Sequence, residues 1–317
     1  MTEICKPTPE NINAAAAIIK KGGLVAMPTE TVYGLGANVY NPQAVANIFA
    51  AKGRPAFNPL ISHIAELDFL KTYAQTDERV IALAKKYWPG PLTFVLPRFP
   101  EDTNPAIDLA CAGLRTVTVR MPNHPVALEL IRQSGVPIVA PSANKSQSIS
   151  PTTAQHVYES LGEKVDMILD GGACSVGVES TIIDVTGKHV VLLRAGGLSL
   201  EDLEDFLNEK VLISHGNPEL PSSPGQMLKH YAPTHPMRIN AEAPLPGEFF
   251  IGFGKVEKAD LNLSPSGDTR EAAANLFSYM RYADSQSGYT GIAMSPIPQT
   301  GLGLAINDRI RRAAYKK

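Results

Sequence analysis

Cysteine is scarce in this sequence, and the few residues present lie far apart. Cys5, Cys111 and Cys174 form no Cys-x-x-Cys pair and are odd in number. That pattern argues against a disulfide frame or a thiolate zinc site and fits reduced thiols in a cytoplasmic protein. No run reaches the ~18 apolar residues of a membrane span, and Met1-Thr2-Glu3-Ile4-Cys5 lacks the features of a signal peptide. An excess of one charge is missing too. The formal net charge is −2, whereas a broad nucleic-acid or anionic-membrane surface needs a basic excess. Three catalytic signatures are also absent: no Gly-x-x-x-x-Gly-Lys-[Ser/Thr] loop, no Gly-x-Ser-x-Gly elbow and no His-Glu-x-x-His helix. Any nucleotide is therefore held without a P-loop.

What remains is ample core. Hydrophobic residues make up 44% and charged residues 19% of 317, enough for two domains of ~100–200 residues each. Apolar periodicity predicts a helix over residues 11–21, with Ile12, Ala15, Ala16 and Ile19 inward and Gly22-Gly23 stopping it. A strand over 24–28 exits into a polar stretch at 29–36. Asn41-Pro42 opens a helix with Val45, Ile48 and Phe49 inward. Further strands are expected at 60–64, 92–96, 117–121, 136–140 and 167–169, with a helix capped by Thr76 running to about Tyr87. Residues 178–185 and 190–193 read as a hairpin turning at Thr186-Gly187. A helix over 199–208 closes the unit. Strands interleaved with helices mean an α/β fold, with a mixed sheet because of the hairpin. Pro218, Pro221, Pro224, Pro233 and Pro236 then mark a stiff linker. Strands at 237–240, 249–253 and 291–295 and helices at 268–283 and 304–314 form a small second α/β domain. The expected division is 1–212, linker 213–236, and 237–317.

Four segments are candidates for chemistry. Lys52-Gly53-Arg54-Pro55, followed by Asn58-Pro59-Leu60-Ile61-Ser62-His63, gathers two cations and a carboxamide at the mouth of a strand. It reads equally as an ordinary helix stop. Thr29-Glu30-Thr31 places hydroxyls on either side of a carboxylate directly after a strand, where open α/β sheets bind ligands. It reads equally as a polar turn. Pro141-Ser142-Ala143-Asn144-Lys145-Ser146, running on to Ser148, Ser150 and Thr152, is either a phosphate nest or a flexible serine loop. Last come Arg120, the run Gly177-Val178-Glu179-Ser180-Thr181, and Arg194. An inward arginine demands an anion, and its planar fork suits carboxylate or phosphate. An outward one is a solvated charge.

Read in order, these segments resemble the threonylcarbamoyl-AMP synthase family, in its long two-domain form with a YrdC-like catalytic domain. The likeness rests on residues 28–37, 52–63, 88–93, 117–125, 137–144 and 177–184. Ser223-Pro224-Gly225 through His230-Tyr231-Ala232-Pro233 and residues 301–314 add to it. Three positions depart. Gln147 replaces a usual glycine, Gln226 stands where methionine is usual, and Ala195 follows Arg194 where proline is common.

The resemblance implies a YrdC-like twisted mixed sheet flanked by helices, plus a smaller Rossmann-like domain. It implies that L-threonine, bicarbonate and ATP give threonylcarbamoyl-AMP and pyrophosphate. Other proteins would then move the threonylcarbamoyl group onto a tRNA adenosine. By resemblance Thr31, His63, Arg120, Ala140 and Ser180 surround threonine. Arg54, Asn58, Thr116, Ser142, Ser150, Arg194 and Tyr231 hold ATP, and Lys52, with Arg54, faces the reacting anions. Mg²⁺ would ride on the ATP phosphates, with no protein ligand, and no stable direct tRNA binding is expected. The linker bearing Tyr231 would act as a lid. Two other classes compete: an RNA-binding module, disfavoured by the −2 charge, and a carbamoyltransferase domain of hydrogenase-maturation type, which would bring acylphosphatase-like and zinc-finger segments.

Overall fold

Local chemistry sets where the helices start and stop. The computed structural model describes residues 2–55, 57–101, 104–214, 223 and 230–315. The chain opens with β1 (Glu3–Cys5) and α1 (Pro9–Lys20). Thr8 caps α1 by accepting from Asn11 N, and Pro9 occupies the first turn, where no N–H is needed. β2 (Val25–Met27) and β3 (Gly34–Asn38) precede α2 (Pro42–Lys52). Asn41 caps α2 through Ala44 N at 3.0 Å, and Gly53 ends it at φ 59°. Then come β4 (Ile61–His63), α3 (Leu67–Tyr73), α4 (Glu78–Tyr87), β5 (Leu92–Pro97), α5 (Pro105–Ala110), β6 (Thr116–Arg120), α6 (Pro125–Ser134) and β7 (Ile138–Val139). α7 (Ala154–Leu161), β8 (Met167–Leu169), β9 (Thr181–Asp184), β10 (Val191–Arg194), α8 (Leu200–Leu207) and β11 (Leu212–Ile213) complete the larger unit.

These strands form one mixed sheet in the order β1-β8-β2-β3-β7-β4-β6-β5-β9-β10-β11. The expected hairpin is present: β9 runs antiparallel to β10. The polar exit expected at 29–36 is shorter than that, because β3 already begins at Gly34 and pairs antiparallel with β2. Alternation along the strands separates two faces. On one, Ala26, Leu35, Phe94, Val117, Val119 and Ile183 meet Val45 and Ile48 of α2, Leu83 of α4 and Val157 of α7. On the other, Val25, Met27 and Ile138 meet Ile12 and Ile19 of α1 and Leu130 and Ile131 of α6. Each such aliphatic side chain stabilises the fold by about 1.5–3 kcal/mol on burial.

The smaller unit holds β12 (Met237–Arg238), β13 (Glu248–Gly252), β14 (Leu261–Asn262), α9 (Thr269–Ser285), β15 (Gly291–Met294) and α10 (Gly303–Ala313). Its four strands are all parallel, in the order β12-β15-β13-β14, as a Rossmann-like unit requires. The two units share a core. Val32, Ile149, Val178 and Tyr231 pack with Phe277 and Met280 of α9 and Ile306 of α10. Arg281 Nη2 donates to Ile149 O, and Thr152 and Ser278 hydroxyls lie 2.9 Å apart. Most of the linker expected at 213–236, Gln226 included, lies outside the described residues. All three cysteines are buried and free. No helix among the described residues is long and apolar enough to cross a membrane.

Candidate active site

The turn after β2 is organised by one hydroxyl. Thr29 Oγ1 donates to Val32 O at 2.6 Å and accepts from the amides of Thr31 and Val32, both at 3.2 Å. This local bonding holds Thr31 in place, 2.8 Å from Thr29 hydroxyl to hydroxyl. Arg120, at the last position of β6, reaches across to meet it. Its Nη1 donates to Thr31 Oγ1 at 2.9 Å, its Nε to Gly90 O at 3.2 Å, and its Nη2 lies 2.6 Å from Glu30 Oε2. Arg120 and Glu30 are 3% and 6% exposed, so the inward alternative for this arginine is the one the fold adopts. His63 sits in register with Arg120 on the neighbouring strand. Burial, reinforced by the Arg120 charge, pushes its imidazole down to about 3 and keeps it neutral.

The opposite wall carries the other cations. Arg54 donates to Asn58 O at 3.2 Å and Pro59 O at 2.9 Å, so the Gly53 helix stop and the cationic site are one device. Arg194 donates to Ser180 O from Nε at 3.0 Å and from Nη2 at 2.8 Å. Burial lowers Arg54 to about 10, with Arg194 adding like-charge repulsion. Arg194 is lowered to about 10 in turn, first by burial. One cavity over the middle of the large sheet is lined by Thr31, Arg54, His63, Arg120, Ala140, Ser142, Ser180, Arg194 and Tyr231. Nine of the residues expected to hold threonine or ATP therefore converge. The space between them is a narrow cleft.

Four expected residues do not line it. Lys52, expected to face the reacting anions, is one of them. Its ammonium, 4% exposed, donates to Ser142 O and Asn144 O, each at 2.5 Å, and so braces the serine loop from behind. Desolvation puts its pKa well below the ordinary lysine value. Ser150 Oγ is engaged by Glu179 Oε1 at 2.6 Å. Asn58 is buried at the foot of Arg54. Thr116 starts β6, on the same face as Arg120 but four residues back, a distance of about 13 Å.

Sequence reasoning did not assign Glu179, His230 and Arg309. Glu179 and His230 line the cavity. Burial alone would raise Glu179, but Arg309, Arg194 and the Ser150 hydroxyl hold it at about 2. His230 stands against Tyr231, 3.9 Å between ring centroids, and burial lowers it to about 3. Tyr231 is 1% exposed, stacks on Phe277 at 5.3 Å, and has φ 60°. Its neighbour Ala232 N donates to Gln147 O at 2.9 Å. Gln147 has φ 71°, a left-handed conformation that costs an L side chain but not glycine, which explains the usual residue there.

His63 also gives a pH prediction. It is neutral when folded and charges freely when unfolded, so below about pH 6.5 the unfolded state binds the extra proton. Stability is therefore fully present above that value and falls as pH drops towards about 3, by up to about 1.4 kcal/mol per pH unit. Urea unfolding across this range should show His63→Gln flattening the slope by that amount. An identical slope in the two proteins would contradict the neutral, buried assignment.

Two family models match the chain. One, described as telomere recombination, covers residues 17–196. The other, described as the threonylcarbamoyl-AMP synthase C-terminal domain, covers 198–315. The chain is 43% identical to the threonylcarbamoyl-AMP synthase of Pyrococcus abyssi, over 96% of this chain and 94% of that one. It is 41% identical to the Bacillus subtilis protein of the same name, over 96% and 92%. The crystal structure of P. abyssi Sua5 complexed with L-threonine matches with a TM-score of 0.88 at 39% identity, covering 99% of this chain and 96% of that one. On the strength of both domains and of near full-length identity, this chain belongs to the threonylcarbamoyl-AMP synthase family, in its two-domain form.

Proposed function

We propose that this protein condenses L-threonine, bicarbonate and ATP into threonylcarbamoyl-AMP and pyrophosphate, and that other proteins pass the threonylcarbamoyl group to tRNA. The observation that carries the reading is the convergence of Arg54, Arg120 and Arg194 on one cavity beside a neutral His63. Phosphate, bicarbonate and the threonine carboxylate all bear negative charge. Crowding them costs several kcal/mol unless fixed cations offset it.

Arg120 and Thr31, tied together by a hydrogen bond, receive the threonine carboxylate and hydroxyl, with His63, Ala140 and Ser180 closing that end. The neutral amine attacks bicarbonate with loss of water, or carbon dioxide with loss of a proton, giving a carbamate. A carbamate oxygen then attacks the α-phosphate, and pyrophosphate leaves. Arg54, Arg194, Ser142 and Tyr231 bind the phosphates and nucleotide. Thr116, about 13 Å along β6, marks how far an extended nucleotide reaches, with Asn58 and Ser150 supporting the same side. Lys52 shapes the serine loop that the phosphates approach. Positioning and fixed charge supply most of the rate, since little covalent chemistry is asked of the protein.

No group of three His, Cys, Asp or Glu among the described residues fits a metal ion, and Glu179 is committed to Ser150 and Arg309. Mg²⁺ would enter with ATP, on its phosphates, and would offset their charge. The His230-Tyr231 segment, buried against the cavity, would lift to admit ATP and return to exclude water from the carbamate. The division at 212 and 236 belongs to the same proposal, with residues 213–236 joining the two units.

The test is pyrophosphate release from ATP, measured with threonine and bicarbonate present together and with each omitted. Release that needs both is the expected result. Release indifferent to threonine would sink the reading.

A further inference from the structure

Among the described residues, Glu179 is the one carboxylate lining a cavity that also holds three arginines. A bare negative charge there would repel the triphosphate that the cavity is proposed to bind. We propose that Arg309, supplied by α10 of the smaller unit, is a positioning residue that neutralises Glu179 and so lets the cavity accept ATP. This rests on the ATP reading above and extends it to a residue in the second domain.

The geometry is specific. Arg309 is fully buried, and its Nε donates to Glu179 Oε2 at 3.0 Å while Ser150 donates to Oε1 at 2.6 Å. Nη1 donates to Ala195 O at 2.7 Å, the residue next to Arg194. The guanidinium carbon lies 5.5 Å from the centroid of the Tyr231 ring. Arg309 also pairs with Asp308 at 3.1 Å, and Asp308 pairs with Arg312 at 2.9 Å. The two carboxylates and two guanidiniums thus sum to zero, and deleting Arg309 leaves this cluster with one negative charge, which Arg194 offsets only in part. The other groups facing Glu179 are Arg194 from β10, Lys52 from α2, and His230 and Tyr231 from the segment between the units. His230 is neutral, and Tyr231, raised to about 12, is neutral too. Neither replaces the lost cation.

The measurement is calorimetric binding of Mg-ATP to the full-length wild type, Arg309→Met, and Arg309→Met combined with Glu179→Gln. Arg309→Met should bind at least about tenfold more weakly than wild type. The deficit should shrink as the pH is lowered, because loss of Arg309 removes one of the groups holding Glu179 down and protonation removes its charge. The double variant, which has no charge to neutralise, should recover most of the affinity. A double variant as weak as the single one, with a deficit that ignores pH, would reduce Arg309 to a packing residue and overturn the inference. If Arg309→Met does not fold, Arg309→Lys keeps the charge without the planar fork. Binding within about threefold of wild type is then expected, and a tenfold loss overturns the proposal. Wild type that fails to bind Mg-ATP overturns the ATP reading as well, which separates the two failures.

Discussion

Replacing Arg120 with methionine is expected to cost about 3–5 kcal/mol of folding stability and to abolish threonine-dependent pyrophosphate release. The stability loss follows from what is left behind. Glu30 is 6% exposed and lies 2.6 Å from Arg120 Nη2, so the variant strands a carboxylate without its cation. Thr31 Oγ1 and Gly90 O lose their donor as well. Adding Glu30→Gln removes the stranded charge and should restore a large part of the stability, as buried pairs replaced on both sides commonly do. Activity should not return, because the threonine carboxylate still lacks its guanidinium. Chemical denaturation of the three proteins beside the pyrophosphate assay separates these effects. A single variant within about 1 kcal/mol of wild type would refute the buried-pair account.

Arg54→Ala and Arg194→Ala should each lower kcat/KM at least tenfold, ~1.4 kcal/mol of transition-state stabilisation. Their stability effect should differ in kind from that of Arg120. Both are lowered to about 10, by burial first, and Arg54 also by the nearby Arg194 charge. Bringing Arg54 beside Arg194 opposes folding, so Arg54→Ala relieves repulsion while it removes a phosphate contact, and Arg194→Ala relieves the same repulsion but also takes a cation from Glu179. Little stability loss together with a large activity loss is the expected signature of a site held in tension for its substrate. ATP should then raise the melting temperature of the wild type more than that of either variant. Near-normal kcat/KM in both variants would contradict the assigned roles.

Much of the larger sheet was legible because its strands are short apolar runs between turn residues. β3 was missed for a physical reason. Gly34-Leu35-Gly36-Ala37-Asn38 has poor strand propensity, yet close packing requires those glycines. A Cβ on Gly36 would lie 2.9 Å from Ile138 Cγ2 and 3.1 Å from Val25 O. In the site, the arginines were legible as types but not as directions. Arg120 and Arg194 read equally well inward or outward, and only pairing across strands buries them. Lys52 shows the converse. A cation two residues before Arg54 invites a ligand role, yet its three donors suit two backbone carbonyls. Arg309 left no trace at all. Beside Arg311 and Arg312 it reads as one more basic residue ending a helix, and its partner Glu179 lies 130 positions away.

The first strand has a consequence for how the molecule is made. Among the described strands β1 pairs with β8 alone, with Glu3 opposite Met167. A ribosome adding about 5–20 residues per second needs on the order of ten seconds or more to bring the second partner into existence. Throughout that interval β1 lacks its strand partner β8, so this part of the sheet closes late in translation however quickly its middle assembles.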